Sequence, residues 1–265
     1  MSQRNWSLTL VLLISIAAAA RAEEWRKTYS VSGRSDINVD ANDANIRIYT
    51  SDRSDVEAVV YTEGWKIGPD DVHINDRQSG NKIELTLRTP RNVHFGFSFH
   101  NRTIRIELNV PREADLNLHS GDGNIRVENI RGGLHLDSGD GEVEAHGVEG
   151  RLLADTKDGN IRVDGAFTTL DLHTGDGNIE IEVGSGSKMM QAWTLRTGDG
   201  NIVLRIPENF SAELDAHSGD GRVTVDLPVT VNGSLKESSV RGRLNAGGQL
   251  LELRTGDGNI TIRKN

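Results

Sequence analysis

Seven aspartates of this chain stand in one recurring context. Ser120-Gly-Asp-Gly-Asn-Ile125 returns, with small changes, around Asp140, Asp158, Asp176, Asp199, Asp220 and Asp257. Carboxylates brought side by side repel one another unless a cation or hydrogen bonds compensate. Calcium is the cation such oxygens favour, with about six to eight of them around it. The candidate calcium residues are Asp122, Asp140, Asp158 and Asp176, spaced by exact steps of 18. The alternative is structural, with each aspartate bonding turn amides between glycines that supply positive φ. The spacing matches neither the glycine-rich nonapeptide of calcium-binding β-rolls nor an EF-hand loop. Both readings stay open.

A second column precedes the turn: His119, Asp137, Asp155, His173, Arg196, His217 and Arg254. A His/Asp cluster can ligate zinc, although mixed polar residues are also what an outward strand position carries. A third candidate is Phe95, Phe97 and Phe99, flanked by His94 and His100. Three aromatic rings on one strand face can pack into a core or form a platform for a partner. Trp25, Trp65 and Trp193 are scattered and carry little singly. No nucleophile elbow, zincin motif, P-loop or dinucleotide fingerprint occurs. The one break inside the repeats, Pro228 to Leu250, offers Lys236, Glu237 and Arg241 without a catalytic constellation. The sequence therefore predicts no enzyme and no cofactor, calcium apart.

The elements that must position these residues are strands. Each unit reads Leu-x-Leu-x-Ser/Thr-Gly-Asp-Gly-x-Ile-x-Val, as in Leu116, Leu118, Ile125 and Val127. Period-two alternation of this length is the half-buried strand pattern. A unit so short buries no core alone, so successive units must stack. Stacking in register places Arg126, Glu144, Arg162 and Glu180 beside one another with alternating sign, as cross-strand pairing favours. The fold class is thus all-β: a β-solenoid-like stack of about 18-residue rungs with a strand-rich N-terminal cap region. The alternative is an antiparallel β-sandwich or roll, with Gly-Asp-Gly-Asn as hairpin turns. The later spacings, 23, 21 and 37, leave room for a degenerate copy around Arg241-Gly242-Arg243-Leu244. Asn42-Asp43-Ala44-Asn45-Ile46 reads as a decayed copy of the turn, and Arg263 and Lys264 are charges suited to blunting the far edge.

The predicted domains are a signal peptide at 1–22, an N-terminal β region at 23–110 and the repeat solenoid at 111–265. Arg4, an apolar run from Leu8 to Ala20 and Ala20-Arg21-Ala22 carry the first assignment. The apolar run is too short for a spanning helix, and no later stretch is apolar enough. Cysteine is absent, which removes disulfides and a lipid-modified cysteine alike. Without the leader, 28 basic residues face 39 acidic ones, a net charge of −11. Such a balance argues against nucleic acid, whose binding rests on phosphate neutralisation by Lys and Arg.

The serial Ser/Thr-Gly-Asp-Gly-Asn-Ile units, Val110-Pro111 and the alternating N-terminal strands resemble a bacterial exported β-strand-repeat family, provisionally catalogued as adhesins. The resemblance implies an extracytoplasmic β-solenoid of unsettled function and supplies no catalytic residues. The expected function is a non-enzymatic envelope or surface scaffold, adhesin-like, periplasmic or secreted, with a protein or glycan partner. The alternatives are a polysaccharide-acting β-helix enzyme and a calcium-dependent envelope-stress sensor.

Overall fold

The computed structural model describes residues 22–90, 102–231 and 236–265. Residues 1–21, which hold all but the last residue of the expected signal peptide, and Phe95, Phe97 and Phe99 lie outside the described residues. In chain order the strands are β1 (Glu23–Ser30), β2 (Ser35–Ala41), β3 (Asn45–Ser51), β4 (Asp55–Glu63), β5 (His73–Ser79), β6 (Lys82–Arg88) and β7 (Thr103–Pro111). They continue as β8 (Ala114–Ser120), β9 (Ile125–Glu128), β10 (Arg131–Ser138), β11 (Val143–Thr156), β12 (Ile161–Thr174), β13 (Ile179–Val183) and β14 (Trp193–Thr197). The last are β15 (Ile202–Ile206), β16 (Ala212–Ser218), β17 (Val223–Val225), β18 (Val229–Val231), β19 (Ser239–Leu244), β20 (Leu250–Thr255) and β21 (Ile260–Lys264). No helix of the described residues is long and apolar enough to cross a membrane.

Each Gly-Asp-Gly turn joins a strand before it to a strand after it, and the two classes stack separately. Before the turn, β6, β2, β8, β10, β11, β12, β14, β20 and β16 follow one another, all parallel. After it, β7, β3, β9, β11, β12, β13, β15, β21 and β17 do the same. β11 and β12 belong to both because each runs through a corner, with register shifts between Ala145 and Val148 and between Gly150 and Arg151. Parallel stacking excludes the hairpin alternative. The inward residues Leu116, Leu118, Ile125, Val127 and their equivalents form one buried core. The expected charge column is in place: Glu144 lies between Arg126 and Arg162, and Arg162 between Glu144 and Glu180.

The spatial order departs from the chain order at both ends. The β2–β3 rung sits between β6–β7 and β8–β9. Its turn, at Asn42–Asn45, stacks on Ser120–Asn124, as expected of a decayed copy. At the other end β20–β21 enters between β14–β15 and β16–β17. The strand that carries Arg263 and Lys264 is therefore not the outermost one, although β17 pairs with it only as far as Ile262. The Arg241–Leu244 segment is not a rung either: lacking a Gly-Asp-Gly turn, β19 runs antiparallel to β16 and pairs with β18. The outermost strands are β1 and β5 at one end, both antiparallel to their neighbours and rich in charge or polar groups. At the other they are β17 and β18, three residues each. Charged or very short edges resist further strand addition.

Candidate functional site

The turn divides its chemistry among three residue types. The Ser/Thr hydroxyl is buried and accepts from the N–H three residues on, as in Gly177 N to Thr174 Oγ1 at 3.1 Å. It donates to the neighbouring rung's glycine carbonyl, as in Thr174 to Gly159 O at 2.8 Å. The same pair of bonds recurs at Ser138, Thr156, Thr197, Ser218 and Thr255, and at Ser120 with Ala44 O in place of the glycine carbonyl. The asparagines form a second ladder. Asn160 Oδ1 accepts from Asn178 N at 2.9 Å, Asn178 Oδ1 from Asn201 N at 2.9 Å and Asn201 Oδ1 from Asn259 N at 2.9 Å. Hydroxyl and amide thus do the work assigned above to the aspartate. The turn glycines do not sit at positive φ. The second glycine is required for closeness instead, since a Cβ on Gly177 would lie 1.9 Å from Gly159 O.

The aspartates are left facing solvent. Asp122, Asp140, Asp158, Asp176, Asp199, Asp257 and Asp220 are exposed and follow one another along one ridge, in the order of the rungs. Lys157 approaches two of them, Asp140 at 3.9 Å and Asp158 at 3.7 Å. Partial burial, and then the charge of Asp122, raises the pKa of Asp43 at the start of the ridge. Among the described residues no three His, Asp or Glu side chains converge as metal ligands.

The His/Asp column is in register on the outer face before the turn. Asp40, His119, Asp137, Asp155, His173, Arg196, Arg254 and His217 occupy successive rungs, with Arg254 between Arg196 and His217 rather than last. His119 Nδ1 lies 3.3 Å from Asp137 Oδ1. A neighbouring column, two residues earlier in each strand, adds His135, Leu153 and Asp171, which the sequence reading overlooked. Extending the register by one outward position finds them. With Asp155, His173 and Arg196 they line a shallow groove of about 420 Å³. Burial raises the pKa of Asp155, with Asp137 and Asp171 pushing the same way and His173 and His135 opposing.

The face after the turn is different. Arg126 pairs with Glu144 at 2.5 Å and with Glu128 at 2.8 Å, Arg205 with Glu180 at 2.6 Å and Arg162 with Glu142. Its carboxylates are largely matched within the protein. On the face before the turn, Asp137, Asp155 and Asp171 have no Lys or Arg partner among the described residues. In the irregular stretch, Glu237 pairs with Arg222 at 3.2 Å and Arg241 with Asp215 at 3.2 Å, so these two are spent in separate ion pairs.

The family described as Toastrack DUF4097 matches residues 34–263. Solved structures similar to this chain include a provisionally named cell adhesion protein from Clostridium sporogenes, 14% identical, with a TM-score of 0.43 and coverage of 92% of this chain and 100% of that one. Another is a provisionally named adhesin from Bacteroides fragilis, 16% identical, with a TM-score of 0.47 and coverage of 92% and 97%. A provisionally named lipid-binding protein from Parabacteroides distasonis is 11% identical, with a TM-score of 0.37 and coverage of 91% and 96%. No curated protein matches the chain.

Proposed function

The chain belongs to the Toastrack family, and from that premise we propose that it is a non-enzymatic, exported envelope or surface scaffold that binds its partner along the face before the turn. One observation carries this reading. The carboxylates after the turn are largely matched by arginines, whereas Asp155 and Asp171, beside His135 and His173, have no Lys or Arg partner among the described residues and Asp137 meets only His119. Repeat proteins commonly bind along such an extended face. The chemistry it suits is a protein or glycan bearing cationic groups. In the same reading residues 23–110 cap one end of the stack, and export follows from the leader.

The test is retention on isolated cell envelopes. Reversing Asp137, Asp155 and Asp171 to Lys abolishes retention, while Glu144→Lys on the other face leaves it intact. Equal retention of both variants would sink the proposal. The aspartate ridge supports a second reading, a calcium-held ladder across Asp122, Asp140, Asp158 and Asp176. A calcium-specific rise of several degrees in melting midpoint, absent with magnesium at equal ionic strength, is its signature. Equal responses to both ions leave only screening of the ridge.

A further inference from the structure

His119, His135 and His173 stand on the face before the turn, on β8, β10 and β12, and all three are exposed. Each has a carboxylate within one step of it. His119 lies between Asp40 of β2 and Asp137 of β10, with Asn117 before it on its own strand. His135 lies between Asn117 of β8 and Leu153 of β11, with Asp137 two residues on and Asp155 diagonally across. His173 lies between Asp155 of β11 and Arg196 of β14, with Asp171 two residues before it.

The fixed charges around this group are mostly held in pairs. Arg88 pairs with Asp40, Arg196 with Glu252 at 2.6 Å and Arg254 with Asp215 at 2.9 Å. Arg151 stands one outward position earlier on β11, between Gly133 and Thr169. What remains in the two columns is a set of three carboxylates, Asp137, Asp155 and Asp171, and three imidazoles. An imidazole changes charge between about pH 5 and 8, whereas a carboxylate ordinarily stays ionised down to about pH 4. With neutral imidazoles the six groups sum to −3, and with protonated ones to −3 + 3 = 0. The face after the turn is balanced mainly by arginines, which keep their charge throughout this range. Its one histidine among the described residues, His146, already holds Asp164 at 2.5 Å.

We propose that His119, His135 and His173 make the face before the turn a pH-dependent cation-binding surface, which takes a lysine-rich segment at pH 7.5 and releases it near pH 5.5. This rests on the reading that the face meets cationic groups, and adds its regulation.

The probe is fluorescent decalysine, titrated into the purified protein at constant low ionic strength. Wild type binds at pH 7.5 and at least about tenfold more weakly at pH 5.5, as three added positive charges require. The triple variant His119→Gln, His135→Gln, His173→Gln changes less than about threefold between the two. Burial raises the pKa of Asp155, so its protonation would weaken binding in the same direction, and the triple variant separates the two causes. The three imidazoles are exposed, so an unchanged melting midpoint at pH 7.5 shows the variant to be folded. Equal affinity of wild type at both pH values, or a dependence that survives in the triple variant, overturns the histidine switch and leaves the reading of the face intact. Absence of decalysine binding at pH 7.5, or binding indifferent to Asp155→Asn with Asp171→Asn, overturns that reading and the switch with it. Tighter binding of a glucosamine oligomer than of decalysine overturns the peptide assignment.

Discussion

Thr174 shows how much one hydroxyl settles in this protein. It satisfies a buried N–H in its own turn and a buried carbonyl of the neighbouring rung. Thr174→Val keeps the shape and orphans both groups, which costs about 1–3 kcal/mol in denaturant unfolding. Asp176→Asn, exposed and without an ion pair, stays within about 0.5 kcal/mol of wild type. The opposite ranking would return the turn to the aspartate. Asp155 makes a pH-dependent case. Its folded pKa is raised, so ionising it opposes folding above the ordinary aspartate value of about 3.9. Asp155→Asn therefore raises the melting midpoint at pH 7, and the gain fades as pH falls toward that value. A gain that grows on acidification would contradict the raised pKa.

The rung is the element, and its outward columns decide how it meets its neighbours. Arg162 stands between Glu144 and Glu180, with Arg126 beyond Glu144. Arg162→Glu sets three acidic side chains in a row at about 4.8 Å spacing. The expected loss is up to about 1 kcal/mol in low salt, shrinking in 1 M salt as screening sets in. A loss indifferent to salt would mean that Arg162 acts by packing its stem. The pairing was legible in the sequence because steps of exactly 18 fix which residues face each other. His135 and Asp171 were equally legible and were missed because only the position next to the turn was followed. The ion pairs that form elsewhere and leave Asp155 and Asp171 without a Lys or Arg partner among the described residues depend on rotamers and reach, which spacing does not encode.

At the scale of the whole molecule, the first and last rungs are each set one place inward. A solenoid frays from its terminal repeats, because each repeat is held only by its neighbours. Here the strand last in sequence is held on both sides, by β15 and β17. Amide exchange should therefore be slower in β21 than in β17, although β17 precedes it in the chain. Faster exchange in β21 would show that the inserted rung is only loosely seated.

The sequence by itself determined the rung: alternating Leu, Ile and Val set which side is buried, and the Ser/Thr-Gly-x-Gly turn set where the chain bends. Those are local consequences of period-two geometry and of hydrogen bonds spanning three residues. It also determined the register wherever the repeat length is constant. Only the tertiary structure decided the order of the end rungs, because motifs as alike as Thr174–Ile179, Thr197–Ile202 and Thr255–Ile260 fit any neighbour equally well. It alone brought Phe167, Trp193 and Phe210 together, since these residues sit in connections whose lengths break the repeat and whose meeting depends on which rung lies between them.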